Sequence, residues 1–264
     1  MSTSATTATN ADQRGRFVWH ELMTKDAAAA QEFYKTVVGW TSSSMNVPGV
    51  DYSMFMNGET PMAGVMAFPP GAAAMGVPPS WNAYIEVPDV DATIEQVQKL
   101  GGAVDVPAQA MAGVGRFAIL HDPQGAVFGV LASERPLPPE TDPPRFDFAW
   151  HELSTSDLNA AIAFYDQVFG WKKQSEMDMG DHGIYYMFGR DRFTYGGMMK
   201  SSPGMPAPYW LHYIRVPDTA DAAAERATKA GAKLMVGPME VPGGDRVAVL
   251  TDPQGAAFAV HSKD

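Results

Sequence analysis

The chain has 264 residues with 30 acidic against 19 basic side chains, a net charge of −11 and no basic run, so a nucleic-acid phosphate backbone would be repelled and nucleic acid is not an expected partner. No cysteine is present, which excludes disulfides, zinc–thiolate centres and cysteine nucleophiles and is compatible with a reducing cytoplasm; any metal would need His, Asp, Glu or Tyr. The first 15 residues, MSTSATTATNADQRG, are small and polar without an apolar stretch, so they are expected to form a disordered tail, with neither a signal peptide nor a membrane span.

In chain order, Phe17 to Met23 alternates as a strand, with Phe17, Trp19, Glu21 and Met23 on one face and Val18, His20 and Leu22 on the other. Asp26 offers a capping oxygen, and the helix expected from Ala27 carries Ala30, Phe33, Tyr34 and Val37 at helical spacing before Gly39 ends it. Three short strand-like runs follow, at about 41–47, 51–57 and 60–68, separated by the turn signals PGV and NGE. The pattern then restarts: a strand from Asn82 to Val87, a helix start at Pro88-Asp89, a helix from Ala92 to Leu100, a Gly101-Gly102 stop, and three more strands around the turn DPQG.

Everything in this half returns in the second. RFVWHELMTKDAAAAQEFYKTVVGW from Arg16 is echoed by DFAWHELSTSDLNAAIAFYDQVFGW from Asp147, WNAYIEVPD by WLHYIRVPD, and ILHDPQGAVFGV by VLTDPQGAAFAV. The expected domains are therefore 16–133 and 146–264, joined by the proline-rich spacer ERPLPPETDPPR over 134–145. Each reads as two βαβββ modules, an α+β fold with mixed sheets. Two modules side by side can curl their uncovered sheet faces into a shared concavity suited to a small molecule.

These motifs resemble the vicinal oxygen chelate superfamily, which includes glyoxalase I, bleomycin- and fosfomycin-resistance proteins and extradiol dioxygenases. The resemblance is carried by AFYDQVFGW at Ala163, the strand-VPD-helix-GG middle, and the D-P-Q-G turns at Asp122–Gly125 and Asp252–Gly255. The EL-x-T-x-D opening at Glu21 and Glu152 is similar to that of two-domain actinobacterial glyoxalase-like proteins. The resemblance implies tandem glyoxalase-like domains with cupped sheets. It also implies one divalent metal held by His and Glu from the first and last strands of paired modules.

Several positions depart from that pattern. Gly129 and Ala259 occupy the final-strand position of the metal-binding Glu, and Asn82 and Leu211 the position that usually bears His. Trp19 and Trp150 stand at the first-strand ligand position, with Glu21 and Glu152 on the same cup-facing side. His20 and His151 then point towards the helix, and His212 lies one residue off the ligand register. A carboxylate on a buried face must be paired, metal-bound or protonated, so Glu21 and Glu152 are the candidate catalytic residues; a structural pairing with Arg116, Arg215, Arg246 or Tyr84 is the alternative.

Trp19, Trp150, Asn82, Tyr84, Tyr213 and Arg215 are the candidate ligand-binding side chains, the Glu86-to-Arg215 exchange implying different charges in the two cups. His20, His151 and His261 are the weak metal candidates, with His261 expected near solvent. The 17 methionines fill the core or form a soft wall for an apolar ligand. Two functions stay open: a metal-dependent lyase or dioxygenase with an atypical His/Glu site, and a metal-free protein that sequesters a small oxygenated or apolar molecule. One divalent metal ion or none is expected as cofactor, a small molecule as partner, and a monomer with an internal pseudo-dimer or a homodimer as assembly.

Overall fold

A computed structural model describes residues 13–47, 50–68, 76–201 and 208–263. Of the expected tail, residues 1–12 lie outside the described residues, as do Pro48 and Gly49 of the PGV turn. Arg14 and Gly15 are tied in: the Gly15 N–H donates to the Glu86 carbonyl at 2.8 Å and the Trp171 indole donates to the Gly15 carbonyl at 2.7 Å.

The first repeat forms β1 (Phe17–Thr24), α1 (Ala27–Val37), β2 (Thr41–Val47), β3 (Val50–Asn57), β4 (Thr60–Ala67), β5 (Ser80–Glu86), α2 (Val90–Lys99), β6 (Ala103–Met111), β7 (Gly115–His121) and β8 (Val127–Ser133). The second repeats it as β9 (Phe148–Thr155), α3 (Leu158–Phe169), β10 (Lys172–Asp178), β11 (Ile184–Arg190), β12 (Phe193–Lys200), β13 (Tyr209–Arg215), α4 (Ala220–Lys229), β14 (Lys233–Glu240), β15 (Arg246–Thr251) and β16 (Ala257–Ser262). They make two eight-stranded mixed sheets, ordered β2-β3-β4-β1-β5-β8-β7-β6 and β10-β11-β12-β9-β13-β16-β15-β14. Parallel pairs such as β1 with β4 and β5 with β8 sit among antiparallel hairpins, as the βαβββ reading requires.

Local chemistry explains the helix ends. Asp26, Asp89, Asp157 and Thr219 each accept a bond from the backbone N–H three residues on, satisfying one of the orphan donors of the first turn. Gly39 and Gly170 follow the first helix of each repeat at φ +95° and +74°, a conformation that lets the chain turn away without a Cβ clash. No described helix is long and apolar enough to cross a membrane.

By compactness the chain divides across the repeat. One unit gathers Trp19–Ala83, Asp142–His151 and the residues from Leu211 onward; the other gathers the described residues through Val18, Tyr84–Thr141 and Glu152–Trp210. In the first unit α1 packs on α4, and Phe33, Tyr34 and Val37 share a core with Ala220, Ala223, Ala224 and Ala227, whose small side chains permit close helix approach. In the second, α2 packs on α3 around Val97, Phe128, Phe164 and Phe169, with Trp171, Phe188 and Trp210 beside them.

Each unit is closed by the same device. The Trp81 indole donates to the Tyr34 hydroxyl at 2.8 Å, and that hydroxyl donates to Asp252 at 3.4 Å. In the other unit Trp210 donates to Tyr165 at 3.2 Å and Tyr165 to Asp122 at 3.0 Å. Asp122 and Asp252 are the first residues of the two D-P-Q-G turns, and each also accepts backbone N–H groups of its own turn. The glutamine of each turn grips a helix start in the other repeat: Gln254 accepts from the Asp26 N–H and donates to its carbonyl, both at 2.7 Å, and Gln124 does the same at Asp157.

Candidate functional site

The burial of β1 follows its alternation: His20, Leu22 and Thr24 are buried, whereas Phe17, Trp19, Glu21 and Met23 are half-exposed. Two groupings result, one on each face.

On the buried face, His20 of β1, His151 of β9 and His212 of β13 converge, with a nitrogen of each ring within 4.8 Å of the others. They are 6 %, 5 % and 1 % exposed. His151 Nδ1 lies 3.0 Å from His212 Nδ1, His20 stacks on Phe148 with ring centres 3.7 Å apart, and the His20 and His151 rings lie 5.1 Å apart and nearly parallel. Burial, reinforced by the neighbouring imidazoles, holds His20 and His151 well below the usual histidine value, and burial alone lowers His212 to about 3. All three rings are thus neutral and present lone pairs. His20 Nε2 and His212 Nε2 meet no hydrogen-bond partner among the described residues.

On the half-exposed face, Glu21 stands opposite Gly64 in the parallel ladder of β1 and β4. A Cβ at Gly64 would overlap the Tyr52 hydroxyl, so this glycine lets Tyr52 of β3 reach across β4 to Glu21. The Trp19 indole donates to the Tyr52 oxygen at 3.1 Å. The second repeat builds the same bridge: Tyr185 of β11 lies over Gly197 of β12, and its hydroxyl donates to Glu152 Oε2 at 2.9 Å. Burial and then the Glu21 charge raise the Tyr52 phenol far above its ordinary value, so it stays a proton donor to the carboxylate at any working pH. Tyr209 is raised by burial and by the Glu152 charge. A carboxylate has two oxygens, so one that accepts from a phenol is also a group able to accept from a hydroxyl donor of a ligand.

Most side chains at the positions expected from the resemblance to hold a metal lack a ligand atom. Gly129, Ala259, Leu211, Trp19 and Trp150 offer no ligand atom. Nor is there room at Gly129, where a Cβ would stand 2.5 Å from Tyr84 Cδ1; the Tyr84 ring fills that space. Tyr213, buried, pairs with Ala259 in the parallel ladder of β13 and β16. Asn82 is half-buried, its Nδ2 without a partner among the described residues, and Trp150 is half-buried.

The arginines offered as partners for Glu21 and Glu152 each make bonds to other groups. Arg116 forms a two-pronged bridge to Asp91, Arg246 another to Asp221, and Arg215 donates to the Pro143 carbonyl at 2.9 Å. Glu86 is fully buried and accepts from the Ser133 N–H and hydroxyl, its carboxyl raised mainly by burial. His261 is buried at 8 % exposure instead of lying near solvent, with Nε2 2.8 Å from Asp245; it does not join the other histidines. His121 pairs with Asp105 at 2.8 Å. Met62 and Met198 are core residues, whereas Met54, Met56, Met66 and Met199 are half-buried.

Sequence reasoning missed Tyr52, Tyr185 and His212. DYSMF and IYYMF align at the two tyrosines, and AGVM with GGMM at the two glycines, a repeated Tyr-Gly signal that goes with the repeated Glu. His212 sits out of ligand register in the same sense as His20 and His151, and three histidines displaced to the same face were a cluster in waiting.

Comparison with known proteins sharpens the picture. Residues 147–260 match the Glyoxalase/Bleomycin resistance protein/Dioxygenase superfamily, and residues 16–58 match the Bleomycin resistance protein-like N-terminal family. The glyoxylase-named CFP32 protein of Mycobacterium tuberculosis is 38 % identical over 92 % of this chain and 92 % of its own. The chain belongs to the glyoxalase/bleomycin resistance/dioxygenase superfamily. Within this superfamily, the anthracycline biosynthesis protein DnrV of Streptomyces peucetius is 30 % identical over 93 % of this chain and 92 % of its own. Two solved folds are alike at low identity. The 2,3-dioxygenase LapB of Pseudomonas sp. KL28 has 12 % identity and a TM-score of 0.67, covering 95 % of this chain and 93 % of that one. The Mn(II)-bound glyoxalase of Novosphingobium aromaticivorans has 15 % identity and a TM-score of 0.65, covering 95 % and 82 %.

Proposed function

We propose that this superfamily member binds a small, flat, hydroxylated molecule through Glu21 with Tyr52 and Glu152 with Tyr185, one site per repeat, without a metal at the superfamily's usual position. The observation that carries this reading is the bridge itself, built twice across a glycine that leaves the phenol room to reach the carboxylate. Each bridge fixes a carboxylate oxygen, the kind of acceptor a ligand hydroxyl donates to, in orientation, and Trp19 supplies an aromatic surface beside the first. Half-exposure of these side chains, against the near-complete burial of the opposite face, supports access from solvent. The relatives named for anthracycline biosynthesis favour a flat aromatic over a short aldehyde. Sequestration and catalysis share this mode of capture, and the carboxylate is the group placed to take a proton from a bound hydroxyl.

The test is a tryptophan-fluorescence titration with catechols, hydroxynaphthoquinones and hydroxyanthraquinones. Saturable quenching is expected for at least one of these, and Glu21→Gln or Glu152→Gln should weaken one of two sites about tenfold to a hundredfold, the value of a charged hydrogen bond. Absence of saturable binding across the series, or binding indifferent to both substitutions, contradicts the proposal.

A further inference from the structure

His20 and His151 alternate with Glu21 and Glu152 along β1 and β9, so the histidine cluster takes the opposite strand face from the carboxylates. We propose that His20, His151 and His212 form a buried three-histidine site for one divalent first-row cation of the zinc class. Three features converge. The ring nitrogens meet within 4.8 Å, and the closest pair, His151 Nδ1 and His212 Nδ1, is 3.0 Å apart. Zinc–nitrogen bonds of about 2.0–2.1 Å place two tetrahedral ligands about 3.3 Å from one another, so the closest pair needs to move by a few tenths of an ångström, while the third ring closes in from within 4.8 Å.

The second feature is cost. His20 Nε2 is a buried ring nitrogen without a hydrogen-bond partner among the described residues. A buried polar atom left unsatisfied is destabilising, whereas a cation accepting one lone pair from each imidazole turns the cluster into a cross-link between three strands. The third feature is the donor set. Neutral imidazole is the favoured ligand of zinc, copper and nickel, and no carboxylate belongs to the group, which argues against magnesium or calcium.

The repeat explains why there are three ligands and not four. His20 and His151 are equivalent positions, and the position equivalent to His212 in WNAYIEVPD is Ala83, which offers no ligand atom. A bound ion would therefore complete its shell with water or a small anion. The burial of all three rings gives this ion the part of a structural clamp within its unit.

The experiment uses the full chain without a polyhistidine tag, stripped with chelator and re-exposed to zinc or cobalt. Elemental analysis should then return about one ion per chain, falling to about none in the His20→Gln/His212→Gln double variant and unchanged in His121→Gln. The zinc-loaded protein should melt higher than the stripped protein by a shift that grows with free zinc. X-ray absorption of the wild-type zinc protein should show three imidazole shells, a readout that holds even where a variant fails to fold. Absence of retained metal in the wild type, a shell dominated by carboxylate oxygen, or retention in a folded double variant would overturn the site.

Discussion

The two compact units are built with the same closures, and they differ in what those closures surround. Each has a tryptophan–tyrosine–aspartate chain, a glutamine grip on a helix start, and an arginine fork from a strand to its helix. Both hold the same aromatic cluster, Phe17, Trp171, Phe188 and Trp210 in one and Phe148, Trp40, Phe55 and Trp81 in the other, but among the described residues only the unit containing α1 and α4 gathers three converging buried histidines. Features present in both units are those that any copy of this fold needs to close. The feature present once is free of that duty and marks where the chain has specialised.

That contrast can be broken most severely with acid. The lowered histidines favour the neutral form in the folded unit, so their contribution is complete above the unfolded value of 6.5 and is lost progressively as pH falls towards the folded value, about 3 for His212. In chelator-treated protein the loss should reach a few kcal/mol on the order-of-magnitude scale of such shifts. Native-state amide exchange should therefore show α1 and α4 losing protection before α2 and α3 as pH drops from 6.5. Simultaneous loss in all four helices would mean that the histidines do not distinguish the units.

A second effect tests the sameness of the closures. Tyr34→Phe and Tyr165→Phe each orphan a buried indole N–H and remove one bond from a buried aspartate, costing about 2–4 kcal/mol in denaturant unfolding. The two values should agree within about 1 kcal/mol, since the shorter indole bond at Tyr34, 2.8 against 3.2 Å, offsets the shorter aspartate bond at Tyr165, 3.0 against 3.4 Å. Smaller still is the glutamine grip. Gln124 holds Thr155, Ser156 and Asp157, whereas Gln254 holds Asp26 alone, so Gln124→Ala should lower thermal stability more than Gln254→Ala. Least of all, Arg116→Met and Arg246→Met should produce small losses that disappear in high salt, since both forks are solvent-exposed.

The architecture was legible in the sequence because its determinants are local or repeated. Alternation along β1, the aspartate caps and the glycines after α1 and α3 all do in space what their spacing implies. The motifs AFYDQVFGW and DPQG were visible as a fingerprint, but not the reason they occur together. Tyr34 reaches the Asp252 of the other repeat, a contact no strand register or helical period encodes. The site was legible in part for the same reason. Parity put Trp19 and Glu21 on one face of β1 and His20 on the other, but the partner of each carboxylate lies two strands away, across a glycine. At Gly129 the missing Glu alone did not tell what fills the position, because a small residue marks the close approach of another group, here the Tyr84 ring, as readily as it marks room for a ligand.

The central claim is that the carboxylate–tyrosine bridges are where this protein holds its small molecule. The most direct test is a crystal structure of the full chain with the tightest-binding hydroxylated aromatic from the titration series. The account predicts a ligand hydroxyl within hydrogen-bond distance of the Glu21 or Glu152 carboxylate, with Tyr52 or Tyr185 still donating to the same group. A ligand seated instead against Tyr84, Tyr213 or Arg215, with both bridges untouched, would contradict it.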